Sequence, residues 1–222
     1  MNPVMKYPNV YSRKEGKRSK LYTKNLIPGI SQFEENLVRE GGVEYREWDP
    51  KRSKLGAAIV KQISQIGIKE GNTVLYLGAS HGYTPSFVSD MIGKNGFMFA
   101  IDFAPVVVRD LVFICEQRKN MTPLLEDCNH PENYKDKITK VDIVYQDIAQ
   151  KNQVEIFLKN MQFAKPDGFG LLALKARSVD VTMKPKEVFK EVRKKLEKEV
   201  KIVDYRELDP FEKDHAFFVV KR

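Results

Sequence analysis

Val74-Leu75-Tyr76-Leu77-Gly78-Ala79-Ser80-His81-Gly82 is the stretch from which the rest of the chain is read. Four apolar residues with no polar alternation predict a strand covered on both faces, as in a parallel sheet. Gly78 and Gly82 then predict a tight turn into a helix, where the backbone can come close to a ligand. A ligand is therefore expected at the carboxyl end of this strand, and three ligand classes compete for it. A dinucleotide fingerprint needs glycines spaced G-x-G-x-x-G, with a pyrophosphate resting on the helix N-terminus; the G-x-x-x-G here is one glycine short. The same letters spell G-x-S-x-G, the nucleophile elbow of an α/β-hydrolase, with Ser80 as nucleophile and Asp209 and His215 in the matching chain order. Against that reading, an elbow follows several sheet strands. The residues before Thr73 are basic and poor in strand-like runs, and no oxyanion segment of the HGGG type occurs.

The third class binds a nucleoside without a pyrophosphate, and it needs a carboxylate at the end of the next strand to accept the two ribose hydroxyls. Asp102 closes the run Phe97-Met98-Phe99-Ala100-Ile101, at the distance beyond Gly82 that a helix and a return strand occupy. Taken alone, Asp102 reads equally well as a cap for the helix that Pro105 begins. Taken with the glycine turn, it describes a site for S-adenosylmethionine.

A chain of 222 residues can bury one good core and a small appended lobe, here divided at residues 1–50 and 51–222. With 42% hydrophobic and 31% charged residues it reads as a soluble globular protein. No apolar run approaches the ~20 residues that span a bilayer, so no membrane segment is expected. Met1-Asn2-Pro3-Val4-Met5-Lys6 has no apolar core of the secretory kind, which predicts a cytoplasmic protein. Cys115 and Cys128 lack metal-like spacing and are expected to be reduced and buried, with no metal site. The net charge of +8 is uneven: residues 1–70 hold 14 basic and 8 acidic side chains, 71–150 hold 7 and 10, and 151–222 hold 17 and 12. Basic ends suit a polyanion such as RNA, although the lysine-rich helix around Lys186 to Lys201 accounts for part of the excess.

In residues 1–48, Tyr7, Tyr11, Tyr22 and Tyr45 are interleaved with Arg13, Lys14, Lys17, Arg18, Lys20 and Lys24. Short strands at Val10–Ser12, Leu21–Thr23 and Val43–Tyr45, with turns at Gly16, Pro28-Gly29 and Gly41-Gly42, predict a small basic β-rich lobe. Leu55, Ala58, Ile59, Ile63 and Ile66 then recur at helical spacing up to Gly67. Lys54 falls in the first turn, where the helix dipole favours an anion and gives a lysine no help. Beyond Gly82, strand and helix alternate: a helix over 105–119, strands over 123–125 and 141–146, a helix over 154–163, a strand over 169–175 and a helix over 185–196. The strands at 200–206 and 216–220 read as an antiparallel pair. Asp127, Asp147 and Lys175 each follow a strand, so they belong to the same sheet edge as the glycine turn and Asp102.

Several segments together resemble the fibrillarin family in its short archaeal form. They are Thr23-Lys24-Asn25-Leu26-Ile27-Pro28-Gly29, Glu44-Tyr45-Arg46-Glu47-Trp48 with Arg52-Ser53-Lys54-Leu55, Tyr76-Leu77-Gly78-Ala79-Ser80, Tyr145-Gln146-Asp147-Ile148-Ala149-Gln150, Lys175-Ala176-Arg177-Ser178 and Phe211-Glu212-Lys213-Asp214-His215. The Gly/Arg-rich N-terminal tail of eukaryotic members is missing, and His81-Gly82-Tyr83 and Cys128 depart from the usual pattern. The resemblance implies an α/β, Rossmann-like class I methyltransferase fold: a seven-stranded, mostly parallel sheet with helices on both faces, plus the N-terminal lobe. It also implies methyl transfer from S-adenosylmethionine to RNA ribose 2′-hydroxyls in pre-rRNA and tRNA. The target is chosen by a box C/D guide RNA, in a particle with a Nop-domain scaffold protein and a kink-turn-binding protein.

By the same resemblance the catalytic set is Lys54, Asp147, Lys175 and His215. The cofactor is expected along Gly78, Ala79, Ser80, Gly82, Tyr83 and Thr84, then Asp102 and Phe103, Asp127 and Cys128, and Asp147, Ile148, Ala149 and Gln150. A lone lysine ending the apolar run Leu171-Leu172-Ala173-Leu174-Lys175 is the expected contact of the 2′-oxygen, as base or as stabiliser of alkoxide charge. A binding-only subunit that keeps the cofactor pocket for stability is the alternative from another class.

Overall fold

The computed structural model describes Met1 to Arg222 except Lys17, and Arg18 by its backbone only. Lys17 and the Arg18 side chain, both counted in the basic lobe, thus lie outside the described residues. β1 (Asn2–Pro3), β2 (Val10–Glu15), β3 (Arg18–Lys24), β4 (Leu37–Glu40) and β5 (Val43–Trp48) make an antiparallel sheet in the order β1-β2-β3-β5-β4. β4 is a short edge strand that the sequence reading lacks; it pairs with β5 across the Gly41-Gly42 turn, whose φ values of 59° and 76° suit glycine.

The chain then runs through α1 (Lys54–Val60), β6 (Thr73–Leu77), α2 (Tyr83–Ile92), β7 (Phe97–Asp102), α3 (Pro105–Gln117), β8 (Met121–Leu125), β9 (Val141–Gln146) and α4 (Gln153–Asn160). It ends with β10 (Ala164–Lys175), α5 (Ala176–Val179), α6 (Pro185–Leu196), β11 (Lys201–Glu207) and β12 (His215–Lys221). The second sheet has seven strands in the order β11-β12-β10-β9-β6-β7-β8. β8, β7, β6, β9 and β10 are mutually parallel, while β12 is antiparallel to both its neighbours. Strand order reverses between β6 and β9, so the crevice beyond their carboxyl ends is where such a sheet takes a ligand.

β6 is apolar without alternation because both its faces are covered. Val74 and Tyr76 join the core shared with Leu55 of α1, Phe87 of α2 and Leu111 of α3. Leu75 and Leu77 join the core shared with Phe157 of α4 and Val188 of α6. Three expectations shift. The helix predicted to reach Gly67 ends at Val60, because Gln62 turns left-handed at φ 58°; Ile63 and Ile66 are buried in the irregular segment that follows. β10 starts at Ala164 and carries the Pro166-Asp167-Gly168 turn signal inside it, with a register shift against β9 between Ala164 and Phe169. No α-helix separates β8 from β9, only a single 3-10 turn at Pro131–Asn133.

The lobe is fastened to α2 by buried charge. Asp90 accepts from Arg46 (2.8 Å), Arg118 (2.7 Å), the Thr23 hydroxyl (2.7 Å) and the Leu26 N–H (3.1 Å). Arg46 also donates to Glu35 and the Ser86 hydroxyl, and its guanidinium lies 4.3 Å from the centre of the Phe87 ring. Trp48 stacks on Phe87 at 4.9 Å.

Candidate active site

The turn after β6 is built by three constraints. Gly78 has φ 80°, and a Cβ there would lie 2.3 Å from the Asp147 carbonyl oxygen, so glycine lets the β6 and β9 ends close on each other. Ser80 holds a left-handed φ of 49°, which aims its N–H at Asp102 Oδ2 (2.9 Å). Gly82, φ 89°, starts α2 with a backbone that side chains resist.

Asp102 is nearly buried at the end of β7, and its other oxygen accepts from the Ala104 N–H (3.1 Å). Each oxygen keeps a lone pair for a further donor. After β8, burial pushes the Asp127 carboxyl up, but the Asn129 backbone and side-chain N–H groups outweigh it, and Asp127 stays below the usual carboxylate range. Asn129 also donates to Gln150 (3.0 Å), joining the β8 and β9 loops. Burial pushes the Cys128 thiol up to about 12, so it is an apolar wall and not a nucleophile.

The second half of the site lies across the switch point. Ser53 caps α1 by accepting the Gly56 N–H at 3.2 Å and is itself fixed by the Thr84 hydroxyl at 3.0 Å. Lys54 follows, and its Nζ sits 3.1 Å from each Asp147 oxygen. Burial alone would lower the Lys54 pKa; Asp147 and, behind it, Glu212 outweigh that and raise it, so Lys54 stays an ammonium. Lys175 closes β10 with its backbone clamped by Gln153, whose Oε1 accepts from the Lys175 N–H while its Nε2 donates to the Lys175 carbonyl, both at 3.2 Å. His215 is its register partner on β12. The His215 Nδ1–H donates to the Lys213 carbonyl (2.7 Å), and burial holds the ring below its usual pKa. The imidazole is therefore neutral near pH 7, with the Nε2 lone pair free to accept.

The structure thus brings Lys54, Asp147, Lys175 and His215 to one end of the sheet, beside the turn and Asp102. One expected cofactor residue turns its side chain away. The Tyr83 ring leaves the turn for the lobe, against Phe33 (5.3 Å) and Phe87 (5.2 Å) and under Arg52 (4.2 Å), and only its backbone stays at the start of α2. Phe103 is largely exposed on the rim. The hydrolase reading is not assembled, because the imidazole nitrogen that an acid would orient is bound to the Lys213 carbonyl. Glu212 and Gln153 were missed: a loop glutamate and a helix-start glutamine carry no signal of their own until the fold places them.

Strand order, glycine turn and a carboxylate closing the next strand together define the class I S-adenosylmethionine-dependent methyltransferases. A family model described as Fibrillarin matches residues 1–222. A Thermococcus onnurineus protein named fibrillarin-like rRNA/tRNA 2'-O-methyltransferase is 46% identical over 219 residues, covering 98% of this chain and 97% of that protein. The crystal structure of Aeropyrum pernix fibrillarin with natively bound S-adenosyl-L-methionine superposes with a TM-score of 0.90 at 40% identity, covering 99% and 96% of the two chains. A fibrillarin/Nop5p complex superposes with a TM-score of 0.88 at 39% identity, covering 97% and 98%. The chain belongs to the fibrillarin family.

Proposed function

We propose that this chain, with a lobe of residues 1–50 and a catalytic domain of residues 51–222, is the catalytic subunit of a box C/D guide-RNA particle. It methylates ribose 2′-hydroxyls of rRNA and tRNA with S-adenosylmethionine as donor. The observation that carries this reading is the convergence of Lys54, Asp147, Lys175 and His215 beside an acceptor-lined glycine turn. The names of its relatives and the bound cofactor of the Aeropyrum protein point the same way.

The donor set suits that cofactor, which carries two ribose hydroxyls, an ammonium and a sulfonium: Asp102, Asp127 and Asp147 end three strands of one sheet edge. When bound, it supplies an electrophilic methyl group. Asp102 accepts the ribose hydroxyls, with Phe103 at its rim. Gly78, Ala79, Ser80 and Gly82 bring backbone close, Thr84 braces the turn through Ser53, and the start of α2 at Tyr83 borders it. Asp127, Cys128 and Ile148 to Gln150 flank the adenine end, and Asp147 faces positive charge.

Lys54, held as an ammonium, fixes Asp147 and is not the base. Lys175 and His215 meet the 2′-oxygen from adjacent strands: the lysine steadies developing negative charge, and the neutral Nε2 of His215 orients the hydroxyl. A Nop-domain scaffold, as in the Nop5p complex, and a kink-turn-binding protein complete the particle, which works in the cytoplasm. Among the described residues no helix is long and apolar enough to cross a membrane.

The test is assembly of the purified chain with guide RNA, scaffold and kink-turn protein, supplied with methyl-labelled cofactor. Label is expected on the ribose the guide selects, and to move when the guide is changed. An assembled particle that binds the cofactor but transfers no label would leave only the binding-subunit reading.

A further inference from the structure

Glu212 enters the scheme above only as a second negative charge on Lys54, yet its loop places it beside His215. Its loop is not loose: the N–H groups of Phe211 and Glu212 both donate to the Leu208 carbonyl (2.9 and 3.2 Å), and the Leu208 side chain is fully buried. The Glu212 side chain is 18% exposed, and its Oε2 lies 4.0 Å from His215 Nδ1. Lys54 of α1, Asp147 after β9 and Lys175 at the end of β10 all act on its charge. Its own charge also acts on the buried Tyr145 hydroxyl of β9. Among the described residues no group donates a hydrogen bond to the Glu212 carboxylate. An acid sheltered without a donor is costly to keep ionised, so its place here calls for a return in function. Charge supplies one: the Glu212 carboxylate is the acid within 4.0 Å of the His215 ring, at an open end of the sheet where Asp147 is already paired with Lys54.

We infer that Glu212 is a positioning residue for methyl transfer, its carboxylate beside the imidazole setting the charge around the neutral His215 ring and so holding that ring at the 2′-oxygen. This rests on the reading of the site given above. Burial first, then Asp147, pushes the Glu212 carboxyl above its usual range, while Lys54 and Lys175 pull against that shift. As pH falls, Glu212 therefore takes up its proton earlier than an ordinary glutamate, and the rate should fall with it. Replacing it with glutamine removes that titration and also a negative charge beside the imidazole, so the His215 pKa should drop further.

Two measurements on Glu212→Gln decide the matter. In the isolated chain, the His215 ring titration followed by NMR should move down by roughly half a pH unit or more, while Glu212→Asp leaves it near wild type. An unmoved midpoint in the glutamine variant overturns the inference, whether or not the protein methylates anything. In the assembled particle at saturating cofactor and RNA, the methylation rate should fall roughly tenfold or more, with the acid limb moved to lower pH and the KM for RNA unchanged. Glu212→Asp should recover most of the rate. A wild-type rate and pH profile in Glu212→Gln, or a loss that Glu212→Asp does not recover, also overturns it. A wild-type particle that fails to label RNA would sink the functional reading instead, and the His215 titration would still judge Glu212.

Discussion

Asp90 and Asp147 are both carboxylates facing basic side chains at the ends of elements, and they are treated in opposite ways. Asp90 is sealed: its side chain and that of Arg46 are 0% exposed, Arg118 is 1% exposed, and four donors saturate the two oxygens. Asp147 and Lys54 stay 21% and 22% open, and the acid beside them, Glu212, accepts no hydrogen bond among the described residues. A saturated cluster has nothing left to offer a ligand, so it fixes one lobe against the other. An unsaturated one keeps charge and lone pairs in reserve, which costs stability and is what a reaction can draw on.

The contrast breaks first at Asp90. Asp90→Ala would leave the buried Arg118 guanidinium without its carboxylate and Arg46 with Glu35 alone, and removing one partner of a buried pair costs about 3–5 kcal/mol. Chemical denaturation should show a loss of that size; a loss under about 1 kcal/mol would mean that Trp48 on Phe87, and not charge, holds the lobe.

Lys175→Ala should do the reverse, leaving the denaturation midpoint and cofactor affinity near wild type. Single-turnover methylation in the particle should fall by ~10²-fold or more, as for loss of a base or electrostatic stabiliser. A rate within a few-fold of wild type would make Lys175 a surface residue. Asp102→Ala sits between the two regimes, since Asp102 is nearly buried yet keeps lone pairs free. A charged hydrogen bond is worth ~1.5–3 kcal/mol, so calorimetry should show S-adenosylmethionine binding weakened by roughly tenfold or more. Unchanged affinity would take Asp102 out of the cofactor site.

How far the sequence is readable follows the same division. The open cluster was legible because the sheet announces its own edge: an unbroken apolar run, glycines after it, and a polar residue closing each of the following strands at Asp102, Asp147 and Lys175. The sealed cluster was not. Arg46, Asp90 and Arg118 lie 44 and 28 residues apart in pairs, and a buried arginine is spelled like a surface one. The overrun of α1 has a similar cause, since Ile63 and Ile66 keep helical spacing and burial after the backbone has turned at Gln62. Glu212 stayed hidden because a glutamate in a loop between Pro210 and His215 defaults to a solvated side chain, and only the folding of that loop onto Leu208 gives it neighbours.

A third pair sets the floor of the comparison. Lys195 on α6 meets Glu155 on α4 at 3.0 Å, a better distance than Lys54 to Asp147, but the two side chains are 58% and 51% exposed. Water and salt already solvate both charges, and holding two long side chains in one geometry costs entropy, so exposed pairs contribute a median of about 0–1 kcal/mol. The Glu155 carboxyl is still held below its usual range: burial pushes it up, and the Lys195 hydrogen bond and charge outweigh that, helped by its own backbone N–H. A folded-state pKa below the unfolded one adds stability above the unfolded pKa, and that stability is lost as pH falls through the folded pKa. Lys195→Ala should therefore change stability by less than about 0.5 kcal/mol at pH 7, and raising the salt concentration should shrink even that. If denaturation instead shows a loss above about 1.5 kcal/mol, exposure would not be what separates the three clusters, and geometry alone would have to explain why the Asp90 cluster is sealed and the Asp147 cluster stays open.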